Sequence, residues 1–128
     1  MVQQVTQGIK ISIETSFEGA IHQNYRLHFA FAYHITITNQ GKDSVQLLSR
    51  YWKIKDALHK TLTVEGEGVV GKKPIIKPGE SHTYKSGCML ISPLGAMSGF
   101  FNMINFTSTR KFRVAIPSFK LSAPFALN

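Results

Sequence analysis

Acidic residues and cysteine are both scarce in this chain of 128 residues. It contains seven Asp and Glu against fifteen Lys and Arg, and a single cysteine, Cys88. One cysteine excludes an internal disulfide and is typical of a protein from a reducing compartment. No apolar stretch of signal-peptide length follows Met1, so we expect a cytoplasmic protein.

The sequence also lacks an uninterrupted apolar stretch of membrane-spanning length. Residues 86–109 contain no charge, but Gly87, Pro93 and two further glycines interrupt them. A spanning helix needs about 20 mainly apolar residues, so we expect no membrane segment. The length is typical of one domain, which we place at residues 1–128.

The net charge of +8 is distributed unevenly. Residues 1–80 hold ten Lys and Arg with all seven acids, whereas residues 81–128 hold five Lys and Arg and no acid. Such an imbalance can attract phosphates or acidic partners at long range. We favour the alternative, an ordinary basic surface without a dedicated ligand, and we expect no specific nucleic-acid binding.

Alternating apolar and polar side chains indicate β-strands along most of the chain. The longest run, residues 26–39, places six aromatic or aliphatic side chains on one face. Further strands are predicted at residues 7–17, 44–56, 61–65, 81–86, 97–106 and 112–116. We interpret residues 18–20 as a break and residues 87–96 as a loop, because glycine interrupts both stretches.

These strands predict an all-β fold, because no apolar stripe of helical spacing is long enough for a substantial helix. We expect about seven antiparallel strands packed as an immunoglobulin-like sandwich of two sheets. Trp52 is predicted to lie in its core, and the proline at position 117 indicates an edge strand or a bulge. The uncharged apolar residues between Met89 and Met97 form an interaction patch if they are exposed, or close one end of the sandwich if they fold inward; we favour the second.

Gly66, Gly68 and Gly71 form the pattern G-x-G-x-x-G, followed by Lys72 and Lys73. In dinucleotide-binding proteins this pattern opens a helix. No helical pattern follows here, so that kind of binding is not expected. Two interpretations remain: the backbone amides and both lysines bind a phosphate, or the glycines let the backbone bend between strands. We favour the second.

No set of reacting groups is recognisable, so we expect neither catalysis nor a cofactor. His28 and His34 are six residues apart on one strand, a separation of about 20 Å that prevents them from sharing a metal ion. Convergence of the five histidines across the sheets stays open, although we expect no metal site. Cys88 has no identifiable neighbouring base to activate it as a nucleophile, and a structural thiol is the favoured interpretation.

Five stretches resemble the bacterial ApaG family in their residues, order and spacing. They are SRYWKI at residues 49–54, VEGEGVVG at 64–71, PGE at 78–80, YKSGC at 84–88 and PLGAMSG at 93–99. The chain departs from the family pattern at Met89, where a proline is common, and at Phe100 and Phe101. The resemblance covers nearly the whole chain and implies a fibronectin type III-like sandwich.

The resemblance implies binding and no settled biochemical activity. The bacterial family has a loose association with cobalt and magnesium tolerance. Related eukaryotic domains occur in F-box proteins and in a DNA polymerase-delta-interacting protein, which implies a protein partner. We therefore hypothesise a non-catalytic protein-interaction module, with homo-oligomers also compatible. The alternative is a binder of pyrophosphate, a nucleotide or its metal complex at residues 66–73.

Overall fold

The computed structural model describes residues 1–127, which form nine strands and one short 3-10 helix. The strands are β1 (Val2–Thr6), β2 (Ile9–Gln23), β3 (Arg26–Asn39), β4 (Val45–Asp56), β5 (Leu62–Glu67), β6 (Ile75–Ile76), β7 (Ser81–Leu90), β8 (Leu94–Asn105) and β9 (Lys111–Ser122). The 3-10 helix is Pro124–Leu127. In this described part of the chain, no helix has the length and apolar character needed to span a membrane.

The strands form two antiparallel sheets, which confirms the predicted all-β sandwich. One sheet has the order β1-β2-β3-β7, and the other has the order β5-β4-β8-β9 with β6 also paired to β4. Strand β9 contacts both β1 and β2. The opposite ends of the two sheets, β7 and β5, therefore lie on the same side of the sandwich.

The core lies between the sheets, where the alternating pattern places the large apolar side chains. Trp52 is 3% exposed, as predicted. Its ring centroid lies 5.3 Å from that of Tyr33 and 5.8 Å from that of Phe119, so residues of both sheets contact it. The largest fully buried side chains are Phe101, Ile9, Ile11, Ile13, Ile35, Ile37, Leu47, Ile76, Leu90, Met97, Met103 and Leu121.

The predicted break at residues 18–20 is wrong, because β2 continues to Gln23. The pairing with β3 shifts by one residue between Phe17 and Gly19, which is a β-bulge. Gly19 has φ +124° there, and glycine adopts this value without a steric penalty. The interruption in the alternation therefore marks a shift of phase inside one strand.

The predicted loop at residues 87–96 is also wrong. Strand β7 stays paired with β3 as far as Leu90 opposite Phe29, and β8 begins at Leu94. The apolar residues of this stretch divide between two environments: Leu90 and Met97 are buried as predicted, whereas Met89 and Leu94 are 44% and 39% exposed.

Two further differences concern the ends of the sheets. Strand β1 was not anticipated, because Val2–Thr6 is mostly polar; it pairs with the first residues of β2. The position of Pro117 was predicted correctly, since β9 is an edge strand and its pairing with β8 shifts between Met97 and Gly99. Proline has no N–H to donate, and such a position does not require one.

Candidate functional site

The glycine-rich segment forms the end of β5 and a tight turn after it. Gly66 lies within β5, directly opposite Arg50 of β4. Gly68 and Gly71 have φ values of +61° and +74°. The turn closes through two backbone hydrogen bonds between Val69 and Lys72, with donor–acceptor distances of 2.7 and 3.0 Å. No helix begins here, in agreement with the sequence analysis.

The five predicted phosphate-binding residues lie in one segment. Several of their hydrogen-bond donors are already engaged by other groups of the protein. The amides of Gly68, Val69 and Lys72 donate to carbonyl oxygens within the protein. The Lys73 Nζ lies 3.0 Å from a carboxylate oxygen of Glu67. Only part of the donor set of a phosphate nest therefore remains. This geometry favours the structural interpretation, and phosphate binding stays a prediction.

Arg50 joins β4 to the glycine-rich segment. Its Nη1 donates to the carbonyl oxygens of Glu67 and Gly68, at 3.0 and 2.9 Å. The guanidinium lies against Gly66: Nη2 is 2.7 Å from the position that a Cβ there would occupy. Alternation along the strand placed Arg50 on the same face as Trp52, but it could not show what the guanidinium contacts.

Apolar side chains on the core side of β5 stay exposed between β5 and β7. Leu62 and Val64 of β5 pair with Ile54 and Trp52 of β4, and cross-strand neighbours share a face. Trp52 is buried in the core, so Leu62 and Val64 also lie on the core side, yet they are 57% and 41% exposed. We call the region between β5 and β7 the open slot. Strand pairing places Arg50, Ile54, Leu62 and Val64 on the core side of its β4–β5 wall, and Tyr84, Ser86 and Cys88 on the core side of β7.

A tyrosine beside the open slot has a hydroxyl group without a hydrogen-bond partner in the part of the chain that the structure describes. The Tyr84 hydroxyl is buried and has no hydrogen-bond partner among the described residues. Its ring packs against Phe101 at a centroid distance of 6.5 Å, and Phe101 is a cross-strand neighbour of Arg50. Burial raises the pKa of Tyr84, and the positive charge of Arg50 opposes that effect. In residues 1–127 no carboxylate forms an ion pair with Arg50.

Cys88 has the properties of a structural thiol. It is partly buried on the core side of β7, opposite Phe31. Burial, with a smaller contribution from the negative charge of Asp56, raises the pKa of Cys88 to about 11. The thiol is therefore protonated at neutral pH and is a poor nucleophile.

Asp56 connects two loops at the same end of the sandwich as Cys88. Its carboxylate accepts hydrogen bonds from the Ile91 amide at 2.8 Å, the Leu58 amide at 3.3 Å and the buried Ser92 hydroxyl. These bonds tie the β4–β5 turn to the β7–β8 loop. These three hydrogen bonds give the carboxylate a role in holding the fold together.

The histidines do not converge within the described structure. Among residues 1–127, no group of three His, Cys, Asp or Glu side chains could hold a metal ion. His28 and His34 lie six positions apart on the same continuous strand, β3. Partial burial, together with the charge of Lys72, lowers the pKa of His82.

The hairpin formed by β2 and β3 extends beyond the rest of its sheet. Pairing between β3 and β7 stops at Phe29, whereas β2 and β3 stay paired as far as Gln23 and Arg26. Residues 20–27 are all exposed. They include Ile21 at 49% and Tyr25, which is fully exposed at the turn. This hairpin was not predicted from the sequence, because glycine at position 19 was interpreted as a break in the strand.

Comparison with known proteins identifies the family. The family model described as the ApaG domain matches residues 20–105. The Protein ApaG of Acidithiobacillus ferrooxidans is 42% identical over 123 residues, covering 96% of each chain. That of Rhodospirillum centenum is 37% identical over 124 residues, covering 97% of this chain and 95% of its own.

Solved structures agree with this assignment. The X-ray structure of the structural-genomics target SoR45 superposes with a TM-score of 0.87 at 35% identity, covering 91% of this chain and 88% of that one. A crystal structure from Bordetella pertussis gives a TM-score of 0.80 at 32% identity, covering 91% and 94%. The chain therefore belongs to the ApaG family.

Proposed function

We propose that this chain is a non-catalytic protein-interaction module that binds its partner through the tip of the β2–β3 hairpin. The observation that carries the proposal is the exposure of every residue from 20 to 27 on a paired two-stranded ribbon. An isolated ribbon of two strands is at best marginally stable in water. A partner that packs against it would supply the missing contacts.

The ribbon exposes apolar side chains on both faces. Ile21 pairs with His28, and Leu27 pairs with His22 one position further along, so Ile21 and Leu27 lie on opposite faces. Leu27 is 38% exposed, and Tyr25 lies between them at the turn. Aromatic and aliphatic groups on a protruding element are typical anchors of protein–protein interfaces.

The non-catalytic part of the proposal is supported by the state of the reactive groups. The Cys88 thiol has a raised pKa, and the Asp56 carboxylate is engaged by three donors. We propose a cytoplasmic partner, since the sequence contains a single cysteine. In this proposal the cation tolerance associated with the family depends on the partner's activity.

The test is photo-crosslinking in cells from a photoreactive amino acid placed at Tyr25. Lys111 is the matched control, because it is also exposed but lies at the first residue of β9, at the other end of the sandwich. We expect discrete crosslinked proteins from position 25 that are absent from position 111. Combining Ile21→Ser with Leu27→Ser should remove them.

The same experiment can contradict the proposal in two ways. Identical products from positions 25 and 111 would show that crosslinking reflects random encounters, and would contradict binding through the hairpin tip. A product that contains only two copies of this chain would assign the hairpin to self-association and remove the separate partner. Circular dichroism of the double variant must match the unchanged protein, since both side chains are solvent-exposed.

A further inference from the structure

We propose that the open slot binds an extended segment of a partner protein, which adds a strand to the free edge of β7 and places a carboxylate against Arg50. This inference deepens the proposed function and rests on one part of it, the existence of a protein partner, because the segment belongs to that partner. It concerns a different surface from the hairpin tip. The two can therefore be tested separately.

Strand β7 provides a free backbone edge. It is ten residues long and pairs only with β3. Within residues 1–127, no further segment forms backbone hydrogen bonds with Ser81–Leu90. An edge of this kind can accept an added strand, whose main chain then supplies the affinity. A nucleotide or a nucleic acid lacks the matching row of amides and carbonyls.

The opposite wall of the open slot is apolar. Leu62 and Val64 lie on the core side of β5, yet remain exposed. Side chains of an added strand point alternately to its two faces. Those that point inward would cover Leu62 and Val64 and complete the interior that the sandwich leaves open on this side.

Arg50 selects the charge of the occupant. It is half-buried and has no carboxylate partner within the described chain. A carboxylate in the slot would pair with its guanidinium, and hydrogen bonds between charged groups are stronger than those between neutral groups.

The neighbouring charges limit the occupant to one acidic group. Glu65 and Glu67 lie exposed on the outer face of β5 beside the slot; Glu67 is paired with Lys73, whereas Glu65 forms no ion pair within the described chain. The charge of Glu65 would repel a run of negative charges along this edge. The occupant is therefore a mainly apolar extended peptide with a single Asp or Glu at the level of Arg50, and not a polyanion.

A random peptide library displayed on phage, selected against the full-length chain, tests this inference. We expect the selected peptides to share one acidic position within an alternating apolar pattern. Fluorescence anisotropy of a selected peptide should then show at least tenfold weaker binding to Val64→Glu and a clearly smaller loss with Val64→Lys, which removes the same apolar contact but does not repel the acidic group. Leu58→Glu is the matched control, because Leu58 is 72% exposed in the turn before β5.

Three results would overturn the inference: no selected peptide, selected peptides without a common acid, or equal binding to the Val64→Glu and unchanged proteins. Arg50→Gln should also weaken binding, but Val64 is the decisive position because its exposed side chain can change without unfolding the protein. If peptides bind at the open slot and position 25 gives no crosslink, the hairpin proposal fails and the slot proposal stands. If position 25 gives specific crosslinks and no peptide binds, the slot proposal fails and the hairpin proposal stands.

Discussion

The guanidinium of Arg50 occupies the space in which a side chain at Gly66 would begin. The two residues are directly opposite each other on β4 and β5, and Nη2 lies 2.7 Å from the position of a Gly66 Cβ. The same guanidinium donates to two carbonyl oxygens of the following turn. The first glycine of the pattern and the arginine of SRYWKI are therefore parts of one structural contact.

Gly66→Ala should displace this guanidinium and loosen the turn. We expect the free energy of unfolding to fall by about 1 kcal/mol, because the flexible side chain can move aside but then loses its hydrogen bonds to the turn. Urea denaturation followed by tryptophan fluorescence measures it. Thr63→Ala, an exposed change on the same strand, should stay within about 0.5 kcal/mol. Equal stability of the two variants would contradict the contact described here.

Comparing Gly68→Ala with Gly71→Ala distinguishes the cost of backbone strain from the cost of a steric clash. Both glycines have positive φ, but a Cβ at Gly68 would collide with the carbonyl oxygen of Lys72, whereas a Cβ at Gly71 meets open space. Each change costs about 1–2 kcal/mol for the left-handed backbone. We expect Gly68→Ala to be the more destabilising of the two in parallel urea titrations. The opposite order would contradict the collision with the carbonyl oxygen of Lys72.

Asp56→Asn should weaken the junction between the β4–β5 turn and the β7–β8 loop. The carboxylate accepts three hydrogen bonds, one of them from the 1%-exposed Ser92. An amide cannot accept all of them, so we expect a loss of about 1–3 kcal/mol in the free energy of unfolding. Glu65→Gln, which changes an exposed carboxylate, is the control and should have little effect.

Cys88 should react slowly with iodoacetamide in the folded protein. Because its pKa is about 11, the thiolate fraction at pH 8 is roughly 100-fold below that of an ordinary cysteine. The reaction should accelerate as the pH rises towards 11, and in urea it should match a free thiol. The raised pKa also means that stability falls as the pH rises through this range. A fast reaction at pH 7 would contradict the structural role.

Much of the fold could be predicted from local sequence, because alternation fixes which face of a strand is buried. Trp52 and the inward row of β3 are examples. Gly19 misled the prediction, since a bulge and a strand end have the same local appearance. The polar strand β1 gave no signal, because its pairing with β2 is what orders it.

The candidate sites were less accessible to sequence reasoning. The glycine pattern was found and its structural interpretation was favoured, but the contact with Arg50 depends on the register between β4 and β5. The open slot depends on which strands end the two sheets. No local pattern encodes that order, because it arises from pairing between residues far apart in the chain.

The central claim is that the glycine-rich segment builds the sandwich and that binding occurs elsewhere on the protein surface. The direct measurement is a titration of the ¹⁵N-labelled protein with pyrophosphate, with and without Mg²⁺ or Co²⁺, followed by amide chemical shifts. We expect no saturable shift at residues 66–73 with millimolar pyrophosphate. Saturable shifts centred on those amides, abolished by combining Lys72→Ala with Lys73→Ala, would contradict the claim.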